Sequence, residues 1–345
     1  MMLFPLLASL LTQPVFAQNT PEQPAVHASS TQTTVPQHLI EPINLLQKMQ
    51  QAFHHDNYEL SYIHVRQGMI EPIRLFHGVV DHQEVVHRLY LNGPVREAVR
   101  RGHQVVYYEM GKAPLSINAS QLPGMMETLA NISIEQLTAN YDLLASGKGR
   151  VAGRSVQILR IIPKHDSLYG LYVWLGSQSG LPLRIDTVDR HGNLVEQLMA
   201  IGLVQFDTPT DWMKKLASID LPAIETPPTP PRASLNWKLS WKPEGMKIIS
   251  DNQHRLAITQ QDVNYIKLSD GLFTVSVYAS AAPDSRILQG DLVRQGATSM
   301  HSVVHNGMEI TVVGEVPPQT AALIAQSVKL VANPSQSNTQ ESLRD

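Results

Sequence analysis

Between Tyr58 and Met110, apolar side chains recur at every second position through four consecutive segments broken by Gly, Pro and Asn. Tyr58, Leu60 and Tyr62 alternate in the first, Ile73, Leu75 and Val79 in the second, Val85, Leu89 and Leu91 in the third, and Val105 and Tyr107 in the fourth. Successive side chains of a strand point to opposite faces, so the pattern predicts an antiparallel meander with one apolar surface. That surface demands a cover. Just ahead of it, Leu45, Leu46, Met49 and Phe53 share a face at helical spacing, with Pro42 suited to the first turn and Asn57 ending the pattern.

From Leu115 to Leu144 the pattern becomes helical. Met125, Met126 and Leu129 form a short apolar face, and Ser133 with Gln136 reads as a capping box ahead of Leu137 and Tyr141. These helices, over 123–144, are expected to lie across the sheet. Strands resume at 156–162, 169–175, 183–188 and 194–201, with turns at Gly176 to Gly180, Leu181-Pro182 and His191-Gly192. The prolines between Leu216 and Ser234 deny a helix or a central strand and mark a domain boundary, with a linker over 213–233. Beyond it Trp237, Leu239 and Trp241 alternate, Asp270-Gly271 turns into Phe273, Val275 and Val277, and Asn306-Gly307 signals a hairpin before Ile310 and Val312. A last helix sets Ala321, Ile324, Ala325 and Val328 on one side. The divisions expected are therefore a domain at 41–212, the linker, a second domain at 234–332 and a disordered tail at 333–345.

Composition narrows the class. A chain of 345 residues suits two domains. With 27 basic against 30 acidic residues, a net charge of -3 argues against a nucleic-acid protein that relies on phosphate neutralisation. Met1 to Ala17 carries an apolar run from Leu3 to Leu11 and ends Val15-Phe16-Ala17, which reads as a removed export signal. No Lys or Arg precedes that run. Residues 18–40, rich in Gln, Thr, Ser and Pro, read as a flexible leader. No other segment approaches the roughly 20 apolar residues of a membrane helix. The absence of Cys excludes a disulfide and a lipid-anchored cysteine, and fits an exported bacterial periplasmic protein with large cores.

Candidate chemistry is sparse. The fourteen histidines show no HExxH spacing, and surface scatter accounts for them without a metal. Gly176-Ser177-Gln178-Ser179-Gly180 has no serine at the central position of a nucleophile elbow, and Gly147-Lys148-Gly149 lacks the strand-helix unit of a dinucleotide loop. No catalytic residue and no cofactor is therefore expected. Arg96, Arg100 and Arg101 form a basic cluster that reads either as a solvated face or as a site for an anionic ligand or a partner, since guanidinium binds phosphate and carboxylate through paired hydrogen bonds. Tyr58, Tyr62, Tyr90, Tyr107 and Trp174 suit core packing or ligand contact.

LYLNGPVREAVRRG at 89–102, VVYYEMG at 105–111, YVWLGSQSGLPLRIDTVDRHG at 172–192, SDGLFTVSV at 269–277 and EITVVGEVPPQTAALIAQSVK at 309–329 together resemble the RseB/MucB family. The likeness runs in order through nearly all of 41–330, and the departures lie in the leader, linker and tail. It implies a periplasmic negative regulator of the envelope-stress sigma factor, without enzymatic activity. The implied fold is α+β and mostly antiparallel: an unclosed barrel wrapped on helices, like the LolA and LolB lipoprotein carriers, plus a smaller β-rich C-terminal domain. The implied partner is the periplasmic domain of an anti-sigma factor, RseA or MucA, shielded from proteolysis until a lipid or lipopolysaccharide relieves the shielding. Leu60, Tyr62, Leu75, Leu89 and Tyr107 are expected to line the concave face of a lipid cavity, with Met125, Met126 and Leu137 as its helical lid. A plain lipid or lipoprotein carrier is the competing reading. The chain admits a homo-oligomer.

Overall fold

A computed structural model describes residues 37–225, 237–255, 262–281, 292–305 and 307–331. The export signal, the leader up to residue 36, the prolines of the linker at 227–231 and the tail lie outside the described residues.

The chain opens with α1 (Gln37–His55), then β1 (Asn57–Arg66), β2 (Met69–Val80), β3 (Gln83–Tyr90), β4 (Arg96–Arg101), β5 (Gln104–Glu109) and β6 (Leu115–Asn118). Two short helices, α2 (Met125–Asn131) and α3 (Ile134–Asn140), precede β7 (Tyr141–Val151), β8 (Arg154–Pro163), β9 (Gly170–Gly176), β10 (Pro182–Val188), β11 (Leu194–Phe206) and α4 (Asp211–Ser218). Strands β1 to β11 form one antiparallel sheet in the order β6-β5-β4-β3-β2-β1-β11-β10-β9-β8-β7. Its two ends do not pair, so the barrel is open.

The meander has five strands between Asn57 and Glu109 where the pattern predicted four segments, because the basic stretch from Arg96 to Arg101 is itself β4. Leu115 to Asn118 is a strand rather than part of a helix, and α3 ends at Asn140, so Tyr141 opens β7. The Ser133 cap is present, its hydroxyl accepting from the Gln136 N–H at 3.1 Å. Helix α1 begins at Gln37, inside the stretch expected as leader, which places Pro42 in the second turn rather than the first.

The phase of β3 corrects one expectation with consequences for the site. Residues 83–90 read QEVVHRLY, in which either parity could be the apolar face. A two-residue turn decides it. Asp81 and His82 take φ of 49° and 64°, the left-handed pair that joins twisted strands tightly, and Val80 therefore pairs with Gln83 and Leu75 with Arg88. Val86, Arg88 and Tyr90 face inward with Leu60 and Leu75; Val85 and Leu89 face outward, and Leu91 is exposed.

The outward face is covered in turn by α4. Met213 packs over Gly78, where an added Cβ would sit 2.7 Å from its Sδ, and Trp212 meets His87 and Phe76 edge-on or tilted. Arg101 donates to the carbonyls of Ala217 and Ile219, both at 2.8 Å, satisfying acceptors that the end of α4 leaves open.

On the inward face, Leu45, Leu46, Met49 and Phe53 of α1 seal against Tyr58, Leu60, Leu75 and the apolar positions of β7 to β11. One end of this face is charged. Glu84 accepts from both terminal nitrogens of Arg100, at 2.5 and 3.0 Å, and meets His54 at 3.2 Å and His77 at 2.9 Å. Burial alone would raise the Glu84 carboxyl, but these three hydrogen-bonding partners outweigh it and hold it far below the usual carboxylate range. The hydrogen bond to Glu84 raises His54, against the opposing effect of burial.

The C-terminal part contains β12 (Trp237–Leu239), β13 (Lys247–Arg255), β14 (Asp262–Ser269), β15 (Thr274–Ala281), β16 (Leu292–Gln295), β17 (Thr298–His305), β18 (Met308–Glu315), α5 (Pro318–Gln326) and β19 (Val328–Leu330). Six strands form a second, smaller sheet in the order β13-β14-β15-β18-β17-β16, and β12 pairs with β19. Ala321, Ile324 and Ala325 bury the inner side of α5. The expected hairpin joins β17 to β18, though Asn306 lies outside the described residues.

Two outcomes test this packing. Gly78→Ala is expected to lower unfolding free energy by about 1–3 kcal/mol, the cost of overpacking, in denaturant titration; an unchanged midpoint would show that α4 does not press on β2. Glu84→Gln is expected to cost about 2–4 kcal/mol at neutral pH, somewhat below the range for a fully sealed ion pair because Glu84 keeps some solvent contact. Glu84 is depressed in the folded state, so its contribution is present above the ordinary carboxylate range and is lost as pH falls below it. The gap in melting temperature between wild type and variant should accordingly narrow progressively as pH falls below about 4, closing only towards the depressed folded value; a gap that does not narrow in acid contradicts the role assigned to the carboxylate.

Candidate functional site

At its other end the inward face again changes from apolar to charged. The alternation that buries Tyr58, Leu60 and Tyr62 continues on β1 to His64 and Arg66; on β2 it runs from Ile73 to Glu71, opposite His64. Tyr90 and Arg96 extend the same face on β3 and β4. The C-terminal sheet closes over this end, leaving a cavity of about 350 Å³ to which both sheets contribute: Tyr62, Ile73, Arg88, Met125 and Met126 from one side, Phe273, Ala297, Thr298 and Glu315 from the other.

The junction is held by specific contacts. Tyr141 donates to the Asp270 carboxylate at 2.5 Å, and Asn140 to the Asp270 carbonyl at 3.1 Å. Tyr169 donates to the Val316 carbonyl at 3.2 Å and meets the Phe273 ring edge-on at 5.9 Å. Thr320 donates to the Ser167 carbonyl at 3.0 Å. Closest to the cavity, the Ala297 N–H donates to Glu196 at 3.0 Å, while the other oxygen of Glu196 pairs with His64. Gly296 approaches Glu196 and Arg66 so closely that any Cβ there would fall 2.6 Å from the Glu196 carboxylate, and its φ of +61° favours glycine independently.

Charges around the cavity are largely matched. Glu71 is shared by Arg66 and by Arg96, which donates at 2.6 Å. Burial would raise the Glu71 carboxyl, yet the two guanidiniums hold it below its ordinary value. Arg96 also stacks its guanidinium 3.6 Å from the centre of the Tyr90 ring. Arg88 donates to the Pro123 carbonyl at 2.6 Å and lies 3.9 Å from Glu127 on α2. Burial raises the Glu127 carboxyl despite the opposing charges of Arg100 and Arg88. Burial would raise Glu196 too, but hydrogen bonds from His64 and Ala297 bring it below its ordinary value. Glu315 goes the other way: burial, then the charge of Glu196, push it up to about 7.

Of the residues expected to line a cavity, Tyr62, Met125 and Met126 do so. Leu60, Leu75 and Leu137 are sealed in the core, Tyr107 packs half-buried against it, and Leu89 is on the opposite face for the reason given above. The three arginines do not form one patch. Alternation along β4 sends Arg96 to the cavity and Arg100 to Glu84, while Arg101 points outward to α4. Sequence reasoning missed His64, Arg66, Glu71, Arg88, Glu196 and Glu315. The parity of Tyr62 carried forward to His64 and Arg66 was a usable signal; nothing local brings Glu315 to the same place. Among the described residues no group of three or more His, Asp or Glu is arranged to hold a metal ion, and no helix is long and apolar enough to cross a membrane.

Comparison with known proteins accounts for both sheets. The model of the MucB/RseB N-terminal domain matches residues 41–225, and that of the MucB/RseB C-terminal domain matches 231–329. The sigma-E factor regulatory protein RseB of Escherichia coli is 32% identical over 289 residues, covering 84% of this chain and 90% of that protein. The sigma factor AlgU regulatory protein MucB of Pseudomonas aeruginosa is 26% identical over 290 residues, covering 82% and 89%. Among solved structures, the Pseudomonas aeruginosa MucA/MucB complex superposes with a TM-score of 0.69 at 23% identity, covering 85% of this chain and all of the matched one, a likeness of fold. Two family models and relatives matched along nearly their whole length leave one assignment: the chain belongs to the MucB/RseB family.

Proposed function

We propose that this protein is a periplasmic regulatory binding protein that holds the periplasmic domain of an anti-sigma factor, shields it from proteolysis and thereby keeps an envelope-stress sigma factor repressed. The observation that carries this reading is the match over both domains to relatives named as sigma-E and AlgU regulatory proteins. A solved relative described as MucB in complex with MucA supplies the class of partner. The junction cavity supports the same reading, because its wall needs both sheets and a carrier needs only one.

Lipid or lipopolysaccharide is the relieving signal in this account. Leu60, Leu75 and Leu137 are sealed, so an acyl chain enters where Tyr62, Met125 and Met126 border open space and displaces α2 from the sheet. Burial at about 0.8 kcal/mol per methylene suffices for that displacement, since a preference between states of about 1–3 kcal/mol changes partner affinity many-fold.

Saturating protein is expected to slow cleavage of the anti-sigma periplasmic domain by its protease at least about tenfold, a difference of roughly 1.4 kcal/mol, followed by gel densitometry. Unchanged cleavage would overturn the regulatory reading. Met125→Asp is expected to blunt the release of that protection by lipid while shifting the melting temperature by no more than a few degrees, as substitutions at partly exposed positions do. A variant that responds to lipid as wild type does would remove this entry point.

A further inference from the structure

Among the carboxylates that line the cavity between the two sheets, one has no cationic partner among the described residues. Arg66 and Arg96 both pair with Glu71, Arg88 donates to the Pro123 carbonyl beside Glu127, and His64 pairs with Glu196. Glu196 is further occupied by the Ala297 N–H. Glu315, the last residue of β18, accepts from the Thr274 backbone and has no ion pair among the described residues. The charges of Glu196 and Asp270 repel it, and the attraction of Lys267 is smaller than either repulsion.

We propose that this cavity receives one basic side chain, a lysine or arginine, from an extended segment of the protein partner, with Glu315 as its counter-charge. The inference rests on the regulatory reading above and names the chemistry its partner must bring. Three observations support the choice of a cation. Each arginine on the wall already has an oxygen partner, whereas Glu315 has no cationic one, so an incoming cation completes a pair there. The volume, about 350 Å³, lies within the range of side-chain and small-ligand pockets. The rings of Tyr62 and Phe273 line the same space and add surfaces that attract a cation. Because Glu315 belongs to the C-terminal sheet and the facing wall to the N-terminal one, a seated cation bridges the two.

Burial and repulsion keep Glu315 protonated up to about pH 7. A cation beside it favours the carboxylate, so binding releases a proton wherever the free protein still holds it. The sign follows: partner affinity is constant above pH 7 and falls below it. The other titratable and charged groups that line the cavity are Tyr62, His64, Arg66, Glu71, Arg88, Tyr90, Arg96 and Glu196, with Lys267 and Asp270 also acting on Glu315, and a change at Glu315 alone separates its contribution from theirs.

The test is calorimetric titration of the full chain with the anti-sigma periplasmic domain between pH 6 and 8 in two buffers of different ionisation enthalpy. Wild-type affinity is expected to fall about tenfold from pH 8 to pH 6, with release approaching one proton at the acid end. Glu315→Gln should bind about tenfold more weakly at pH 8 and lose that pH dependence, while Glu315→Asp, which keeps the charge, retains it. Neutralising the partner's basic residues one at a time should identify one position whose loss matches that of Glu315→Gln and adds nothing to it. If Glu315→Gln binds with wild-type affinity and pH profile, or if no basic position couples to it, the cation site is refuted and the regulatory reading stands. Absence of wild-type binding at every pH would refute the regulatory reading and the cation site with it.

Discussion

The two-residue period of a strand, held in phase by tight turns, is the constraint on which the rest of this molecule depends. A slip by one residue in any strand would send its inward side chains outward. Turns with left-handed backbone, Asp81-His82 between β2 and β3 and Ala152-Gly153 between β7 and β8, prevent that slip. With phase settled, the long sheet acquires an apolar middle that α1 and its neighbours cover. An open sheet also has two free edges. The chain after α4 returns along β6, where the Glu225 N–H donates to the Ser116 carbonyl at 2.8 Å and Gln104 donates to the Pro222 carbonyl at 2.7 Å. The β7 edge carries Lys148, Arg150 and a bulge after Ala145, features that discourage pairing with a further strand.

The inward face of this sheet carries charge at both ends. At one end Glu84 gathers Arg100, His54 and His77; at the other, Glu71 and Glu196 organise the cavity wall. Buried ion pairs contribute little net stability compared with apolar packing, so their value lies in defining geometry. Here they position the β1 to β4 end against the C-terminal sheet, and Glu196 reaches across to the Ala297 backbone. In the proposed account this surface matters because a partner touching both sheets would sense any displacement of one against the other.

Much of this was legible in the order of residues. The strands β8 to β11, the Ser133 cap, the last helix and the hairpin before β18 follow from period, turn chemistry and capping. What was not legible has specific causes. In β3, adjacent valines at 85 and 86 make both phases apolar, so only the turn geometry assigns Arg88 to the interior. In β4, arginines at 96, 100 and 101 disguise a strand as a basic patch, because their partners Glu71, Glu84 and the end of α4 are distant in sequence. The cavity combines residues from Tyr62 to Glu315, and no local pattern encodes a contact across that separation. The family resemblance, by contrast, drew on the whole length and was unaffected by these local ambiguities.

The central claim is that a partner engages both sheets at their junction. Amide hydrogen exchange on the full chain, with and without the anti-sigma periplasmic domain, tests it most directly. The account predicts new protection at 62–66 and 88–96 together with 294–298 and 314–316. Protection confined to one sheet, or placed on the outer face around α4 with the junction unchanged, would contradict it.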